Sequence, residues 1–139
     1  MSASFTFRRP VRWDEIDAAG LVYFPKVIAL AHEAMERMLQ DAIPGGYAHF
    51  VVDQKIGLPC VHVAADFESP LRFGDILEIS SAVAKFGNTS VTFDVRVKKG
   101  EGTPCARIEY VVACSDLTVP KKRALPAELR KVLETYLQP

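Results

Sequence analysis

Neither sign of charge predominates in this sequence, and long apolar runs are missing from it. The 17 Lys and Arg residues balance the 17 Asp and Glu residues, which removes the electrostatic attraction that nucleic-acid and membrane-surface binders use. No apolar run approaches the length of about 20 residues that a membrane-spanning helix needs. Residues 1–10 lack the apolar centre of a signal peptide. We therefore expect a cytoplasmic protein that binds neither nucleic acid nor a membrane.

Cysteine and histidine are too few and too scattered to suggest a disulfide framework or a metal site. Cys60, Cys105 and Cys114 are odd in number and include no Cys-x-x-Cys pair, so we expect three buried, reduced thiols. His49 and His62 have no metal-ligand spacing with each other or with the cysteines. The sequence also lacks the Gly-x-Ser-x-Gly motif of serine hydrolases, a glycine-rich phosphate loop and a dinucleotide-binding fingerprint. We therefore predict no metal and no cofactor.

The periodicity of the apolar residues predicts a single domain, residues 1–139, that contains both helices and strands. The length and the 49% hydrophobic content suit one folded core. Alternation of apolar and polar side chains predicts strands over 5–13, 61–68, 91–98 and 106–112, and β-forming residues predict another over 76–84. Spacing of three and four residues predicts a long helix over 25–41 and a short one over 126–137. We expect an α+β fold in which one antiparallel sheet wraps against the long helix, with an exposed edge that a homodimer would cover.

A turn rich in carboxylates separates the first predicted strand from the long helix. It carries Asp14, Glu15 and Asp17, followed by the flexible Gly20 and by Pro25, which suits the start of a helix. The N-terminus of a helix offers free backbone N–H groups and the positive end of the helix dipole. A carboxylate beside it can attack or deprotonate, while the N–H groups receive developing negative charge. From the residues alone, Asp17 fits a catalytic carboxylate or an ordinary turn residue, and Asp14 and Glu15 are expected to be solvated or salt-bridged.

The stretch Asp17–Pro25, with the pattern Asp-x-x-Gly-x-Val-Tyr ahead of a long helix, resembles the hotdog-fold acyl-CoA thioesterases. Within them it is most similar to the 4-hydroxybenzoyl-CoA thioesterase family, and Phe67–Asp75 provides a second, weaker match. The resemblance covers nearly the whole chain. It implies a hotdog fold, with an antiparallel sheet of about five strands around one long central helix. It also implies homodimers or homotetramers with the active site between subunits and coenzyme A lying across the surface.

The resemblance assigns three residues to the hydrolysis of an acyl-CoA thioester. Asp17 matches the family's catalytic carboxylate, which attacks the thioester carbonyl or activates a water. The backbone amide of Phe24 matches the donor that polarises the thioester oxygen, and Gly20 matches the glycine that lets the loop fold close to the substrate. Glu15 stands where the family often has a second acid. No cofactor is implied, since coenzyme A is part of the substrate.

Candidate substrate contacts lie on the long helix and in one basic cluster. The resemblance makes Tyr23 and His32 candidates for contact with the acyl group. Where this sequence has His32, the family usually has an acid, which in the hydroxybenzoyl enzymes meets the phenol of the substrate. A benzoyl, another aromatic or an aliphatic acyl group therefore stays open. Lys121, Lys122 and Arg123 form either a solvated segment or a contact for the phosphates of coenzyme A.

Two other functions are compatible with the same fold. One is hydration of an enoyl thioester, which requires a paired acid and base, usually a histidine with a carboxylate; the motifs of the hotdog hydratases are absent from this sequence. The other is a binding module that holds acyl-CoA without hydrolysing it. An assay of thiol release separates hydrolysis from both.

Overall fold

A five-stranded antiparallel sheet and one long helix form the core of the computed structural model, which describes residues 4–139. Residues 1–3 of the predicted domain lie outside the described residues. The strands are β1 Phe5–Pro10, β2 Ile56–Gly57, β3 Cys60–Phe67, β4 Ile76–Phe86, β5 Ser90–Lys99, β6 Thr103–Ala113, β7 Ser115–Asp116 and β8 Lys121–Lys122. The helices are α1 Phe24–Ala42, α2 Gly46–Ala48 and α3 Ala127–Glu134, with a 3-10 turn at Trp13–Glu15 and a π-helical turn at His49–Asp53.

Helix α1 packs its apolar face onto one side of the main sheet. Its buried side chains follow the predicted spacing and are Val27, Leu30, Ala31, Ala34, Met35, Met38 and Leu39. Burying a Leu or Met side chain contributes about 1.5–3 kcal/mol relative to leaving it exposed, so this face holds the helix on the sheet. The helix ends at Ala42 because Pro44 cannot continue it and Gly45 adopts a left-handed conformation with φ of +85°.

The main sheet has the order β1-β4-β5-β6-β3. Strands β4, β5 and β6 follow one another as hairpins, and the alternation predicted for β5 is confirmed. Its inward side chains Val91, Phe93, Val95 and Val97 are all buried in the core beneath α1. The strands predicted over 76–84, 91–98 and 106–112 are therefore present as β4, β5 and β6, and the α+β architecture is confirmed.

The two edges of the main sheet differ in how apolar they are. Strand β1 forms one edge and ends at Pro10. An edge position is expected for a strand that contains proline. Strand β3 forms the other edge, where Val61, Val63 and Phe67 are 52%, 39% and 52% exposed. Monomeric proteins seldom leave such an edge uncovered, because it is a template for pairing with another strand.

Several local features differ from the predictions. The first strand stops at Pro10 instead of residue 13, because a 3-10 turn at Trp13–Glu15 takes the chain out of the sheet. Cys60 is exposed, so the prediction of three buried thiols is wrong for it, whereas Cys105 and Cys114 are buried and free.

Two elements were not predicted from the sequence. Strands β2, β7 and β8 form a second, small sheet, and residues 46–53 are helical.

Among residues 4–139, no helix is both long and apolar enough to cross a membrane.

Candidate active site

A closed turn presents Asp17 just ahead of helix α1. The Asp17 N–H donates to the Leu21 carbonyl at 2.9 Å, and the Gly20 N–H donates to the Asp17 carbonyl at 3.0 Å. Gly20 has φ of +81°, and a Cβ built on it meets nothing within 4 Å. The turn therefore needs glycine for its backbone conformation and not for space. This agrees with the flexible joint predicted at Gly20.

The Asp17 carboxylate is half-buried and uses one of its two oxygens within the turn. Oδ1 accepts the N–H of Ala19 at 2.9 Å and that of Leu21 at 3.4 Å. No donor contacts Oδ2 among residues 4–139. One oxygen is thus oriented by the backbone while the other is left for a reacting group.

Helix α1 begins with one N–H that has no acceptor. The N–H of Tyr23, the residue before the helix, donates to the Glu15 carbonyl at 3.0 Å. Pro25 has no N–H, and the N–H groups of Lys26 and Val27 both donate to the Tyr23 carbonyl, at 2.8 and 3.3 Å. Within the described part of the chain, the Phe24 N–H meets no acceptor. It is therefore the donor available to a ligand at this helix end.

A cavity of about 300 Å³ opens beside the start of α1. It is lined by Leu21, Val22, Phe24, Val27, Phe67, Glu68, Ser69, Pro70, Leu71 and Cys105. The rings of Phe24 and Phe67 meet edge to face, with centroids 6.5 Å apart. Asp17 does not line this cavity; it lies in the turn that leads into it, where Ile16 pairs with Val22.

A buried ion cluster of Arg9, Glu15 and Glu33 lies next to the Asp17 turn. Arg9 on β1 makes two parallel hydrogen bonds to Glu15, at 2.9 and 2.7 Å, and its Nε contacts Glu33 of α1 at 2.9 Å. Burial alone would raise the pKa of Glu15, but the hydrogen bonds from Arg9 and from the Arg12 N–H outweigh it and hold that pKa below its ordinary value of 4.5. Glu15 is thus a buried anion and salt-bridged as predicted, whereas Asp14 is exposed.

His32 lies two turns along α1 from Phe24 and contacts a buried tyrosine. Its Nδ1 shares a hydrogen bond of 3.0 Å with the Tyr110 hydroxyl of β6. Burial, with a smaller contribution from Cys60, raises the pKa of Tyr110 to about 12, so this hydroxyl keeps its proton at neutral pH. The contact leaves the second nitrogen of His32 for another partner.

The other predicted contacts are divided between two regions. Tyr23 is exposed and its ring meets that of Phe24 edge to face at 5.4 Å, so it lies at the mouth of the helix. Lys121 and Lys122 form β8 in the small sheet, and Arg123 follows them; none of the three lines the cavity beside Phe24. Among residues 4–139, no group of three or more His, Cys, Asp or Glu side chains is arranged to hold a metal ion.

Three residues around the site were not predicted from the sequence: Arg9, Glu33 and Tyr110. The sequence holds one signal for Arg9. It follows Phe5 and Phe7 on the same face of the strand, where the alternation predicts an apolar residue. Its partners lie 6 and 24 residues away along the chain, and nothing in their spacing pairs them.

The chain is similar in sequence and fold to known thioesterases. Residues 11–133 match the thioesterase-like superfamily. The chain is 35% identical to a 1,4-dihydroxy-2-naphthoyl-CoA hydrolase from Nostoc punctiforme over 95% of this chain and 88% of that one. It is 29% identical to the acyl-CoA thioester hydrolase YbgC from Escherichia coli, over 88% and 92% of the two chains. A 1,4-dihydroxy-2-naphthoyl-CoA thioesterase from Synechocystis superposes with a TM-score of 0.84 at 26% identity, covering 94% and 96% of the chains. The chain therefore belongs to the thioesterase-like superfamily and has the predicted hotdog fold.

Proposed function

We propose that this acyl-CoA thioesterase hydrolyses aromatic acyl-CoA thioesters to the free acid and coenzyme A. The observation that carries the proposal is the pairing of an oriented carboxylate, Asp17, with the Phe24 N–H, which has no acceptor within residues 4–139. The Ile16–Val22 bridge links the two at the mouth of an apolar cavity. A carboxylate and an oxyanion donor at the end of one helix are the two groups that thioester hydrolysis requires.

Asp17 acts either as a general base or as a nucleophile. As a base, it takes a proton from a water that attacks the thioester carbon; the oxyanion collapses, the C–S bond breaks and the thiolate of coenzyme A leaves. As a nucleophile, its oxygen forms a mixed anhydride with the acyl group and expels the thiolate, and water then hydrolyses the anhydride. In both routes the Phe24 N–H donates to the carbonyl oxygen. A positioned base contributes about 10²–10⁴-fold, and an oxyanion donor about 10²–10³-fold.

The aromatic preference rests on the shape and lining of the site. Phe24 and Phe67 present an edge-to-face pair to the cavity, an arrangement that favours a planar aromatic guest. His32 does not line this cavity; its free nitrogen, oriented by Tyr110, suits a hydrogen bond to a hydroxyl on a ring that reaches beyond the cavity. The relatives named for the 1,4-dihydroxy-2-naphthoyl group support a hydroxylated ring such as 4-hydroxybenzoyl, and benzoyl is the aromatic group without a hydroxyl against which this preference is measured.

We further propose that two copies of the chain pair through β3 and complete the site between them. The exposed side chains of Val63 and Phe67 at this edge support such pairing. Phe67 also lines the cavity, so the edge of β3 that a second copy would cover is continuous with the site. Sedimentation velocity tests this: the wild type sediments as a dimer or tetramer, and Val63→Asp shifts it towards monomer. A wild type that stays monomeric contradicts the pairing.

Coenzyme A would lie outside the cavity, with its phosphates near basic side chains. Lys121, Lys122 and Arg123 are exposed and carry suitable charge. We propose no cofactor, and we place the reaction in the cytoplasm, where free thiols such as Cys105 and Cys114 stay reduced.

The test is thiol release from a panel of aromatic and aliphatic acyl-CoA thioesters by wild type, Asp17→Asn and Asp14→Asn. Asp14 is the matched control because it is an exposed carboxylate in the neighbouring 3-10 turn. We expect Asp17→Asn to lower kcat by about 10²–10⁴-fold and Asp14→Asn to leave it within about threefold.

Full activity in Asp17→Asn contradicts the role of Asp17. Equal kcat/KM for aromatic and aliphatic substrates contradicts the aromatic preference. Binding without thiol release identifies a non-catalytic acyl-CoA-binding module, and water addition to an enoyl-CoA identifies a hydratase.

A further inference from the structure

Arg9 is a buried charge in a position that the fold would ordinarily fill with an apolar side chain. It lies on edge strand β1, opposite Leu77, on the same face as Phe5 and Phe7. Its side chain is only 7% exposed. A charge is costly in such a place unless its partners satisfy it fully.

The guanidinium is fully used, by partners from three separate elements. It makes two parallel bonds to Glu15 in the 3-10 turn, at 2.9 and 2.7 Å. Its other side contacts Glu33 of α1, at 2.9, 3.0 and 3.1 Å. Nη1 also donates to the Pro10 carbonyl at 2.9 Å. The planar fork thus holds two carboxylates at once, which a lysine ammonium cannot match in geometry.

Glu15 carries this restraint into the active site through its backbone. Its side chain is held by Arg9 and also accepts the Arg12 N–H at 2.8 Å. Its carbonyl accepts the N–H of Tyr23, the residue immediately before α1. Asp17 follows two residues later. One residue therefore links the buried ion cluster to both proposed catalytic groups, the Asp17 carboxylate and the Phe24 N–H.

Stability alone does not account for such a cluster. Replacing a buried ion pair by well-packed apolar side chains is often neutral or stabilising. What apolar side chains cannot supply is a directional restraint of this kind. In catalysis, a misplacement of about 1 Å costs on the order of 100-fold in rate.

We propose that Arg9 and Glu15 are positioning residues for thioester hydrolysis, which fix the Asp17 turn against the N-terminus of α1. The proposal rests on the proposed function of Asp17 and Phe24. It requires that loosening the cluster lowers kcat while substrate binding changes little.

The test compares Arg9→Lys with Arg37→Lys in the full-length protein. Both substitutions keep the positive charge. Arg37 is the matched control because it also contacts Glu33, at 3.1 Å, but does not contact Glu15. Glu15→Gln serves as a second variant that preserves side-chain shape. All are assayed at a temperature at which circular dichroism shows each variant to be folded.

Trp13 gives a readout that does not depend on catalysis. It is the only tryptophan of the chain and belongs to the same 3-10 turn as Glu15. Its ring meets that of Phe73 edge to face at 5.3 Å. Fluorescence anisotropy of Trp13 therefore reports whether the turn is held or loose.

We expect Arg9→Lys and Glu15→Gln to lower kcat about 10- to 100-fold with KM within about threefold, and to lower the anisotropy of Trp13. We expect Arg37→Lys to change neither. Wild-type kcat in Arg9→Lys overturns the proposal, and so does an equal loss of kcat in Arg37→Lys. If Asp17→Asn keeps full activity, the proposed function fails. Unchanged Trp13 anisotropy in Arg9→Lys is the separate result that overturns the positioning role of Arg9 and Glu15.

Discussion

Replacing Gly20 by alanine is expected to reduce both stability and activity, through the backbone alone. Gly20 has φ of +81°, and a Cβ built there meets nothing within 4 Å. No steric clash is therefore added. The left-handed conformation destabilises the folded alanine variant by about 1–2 kcal/mol. Alanine also lowers the entropy of the unfolded chain, which stabilises the variant by about 0.4–1 kcal/mol. The net loss is about 1 kcal/mol.

That loss converts to a modest shift in melting temperature. An unfolding entropy of about 2.1 cal/mol/K per residue gives roughly 0.3 kcal/mol/K for the 139 residues of this chain. Tm is therefore expected to fall by about 3 °C. The same substitution is expected to lower kcat about 10-fold or more. The Gly20 N–H donates to the carbonyl of Asp17 at 3.0 Å, so a change in the Gly20 backbone moves Asp17.

Gly102 provides a matched control in the turn between β5 and β6. It has φ of +109°, open space at its Cβ, and an N–H bonded to the Lys99 carbonyl at 3.2 Å. Gly102→Ala is expected to lower Tm by about the same amount and to leave kcat unchanged. Gly20→Asn, whose side chain tolerates the left-handed region, is expected to recover part of the stability. Calorimetry and thiol release measure both quantities, and an equal effect on kcat in the two alanine variants refutes the reasoning.

Three further predictions follow from the same site. Phe24→Pro removes the backbone N–H, and proline suits this first helical position because Tyr23 before it is already extended. We expect Phe24→Pro to have a kcat about 10²–10³-fold below that of Phe24→Ala and a similar Tm. Equal kcat values in the two variants would contradict the role of the Phe24 N–H as a donor. The lowered pKa of Glu15 means that its charge stabilises the fold above pH 4.5 and that this contribution is lost as the pH falls through the lowered pKa. The difference in Tm between wild type and Glu15→Gln is therefore expected to be largest at neutral pH and to shrink in acid; a constant difference argues against it. His32→Asp is expected to raise the ratio of kcat/KM for 4-hydroxybenzoyl-CoA over benzoyl-CoA, and an unchanged ratio shows that His32 does not face the acyl group.

The sequence predicted those parts of the fold whose signal is local and periodic. The spacing of Val27, Ala31, Ala34 and Met38 identified α1 to within a residue at each end. The alternation along β5 was equally clear. Amphipathic periodicity encodes which face of an element is buried, so one chain is enough to detect it.

The remaining features depend on contacts that are distant in sequence. Cys60 was expected to be buried, but periodicity does not tell an edge strand from a central one, and β3 is an edge. The strands β2 and β7 have two residues each, too few for any pattern. Arg9 and Glu33 are joined across 24 residues by tertiary structure alone. The catalytic groups predicted from the sequence were therefore limited to the turn at Asp17 and the start of α1.

The last described residues of the chain lie beside its first strand. Tyr136 meets Phe5 edge to face at 6.4 Å, and the Gln138 N–H bonds to the Val83 carbonyl at 2.8 Å, next to β1 on the sheet. The described residues are therefore suited to circular permutation, with a short Gly/Ser linker joining residue 139 to residue 4. New ends opened in the exposed turn at residues 100–102 would leave β1, the acidic turn and α1 continuous in mid-chain.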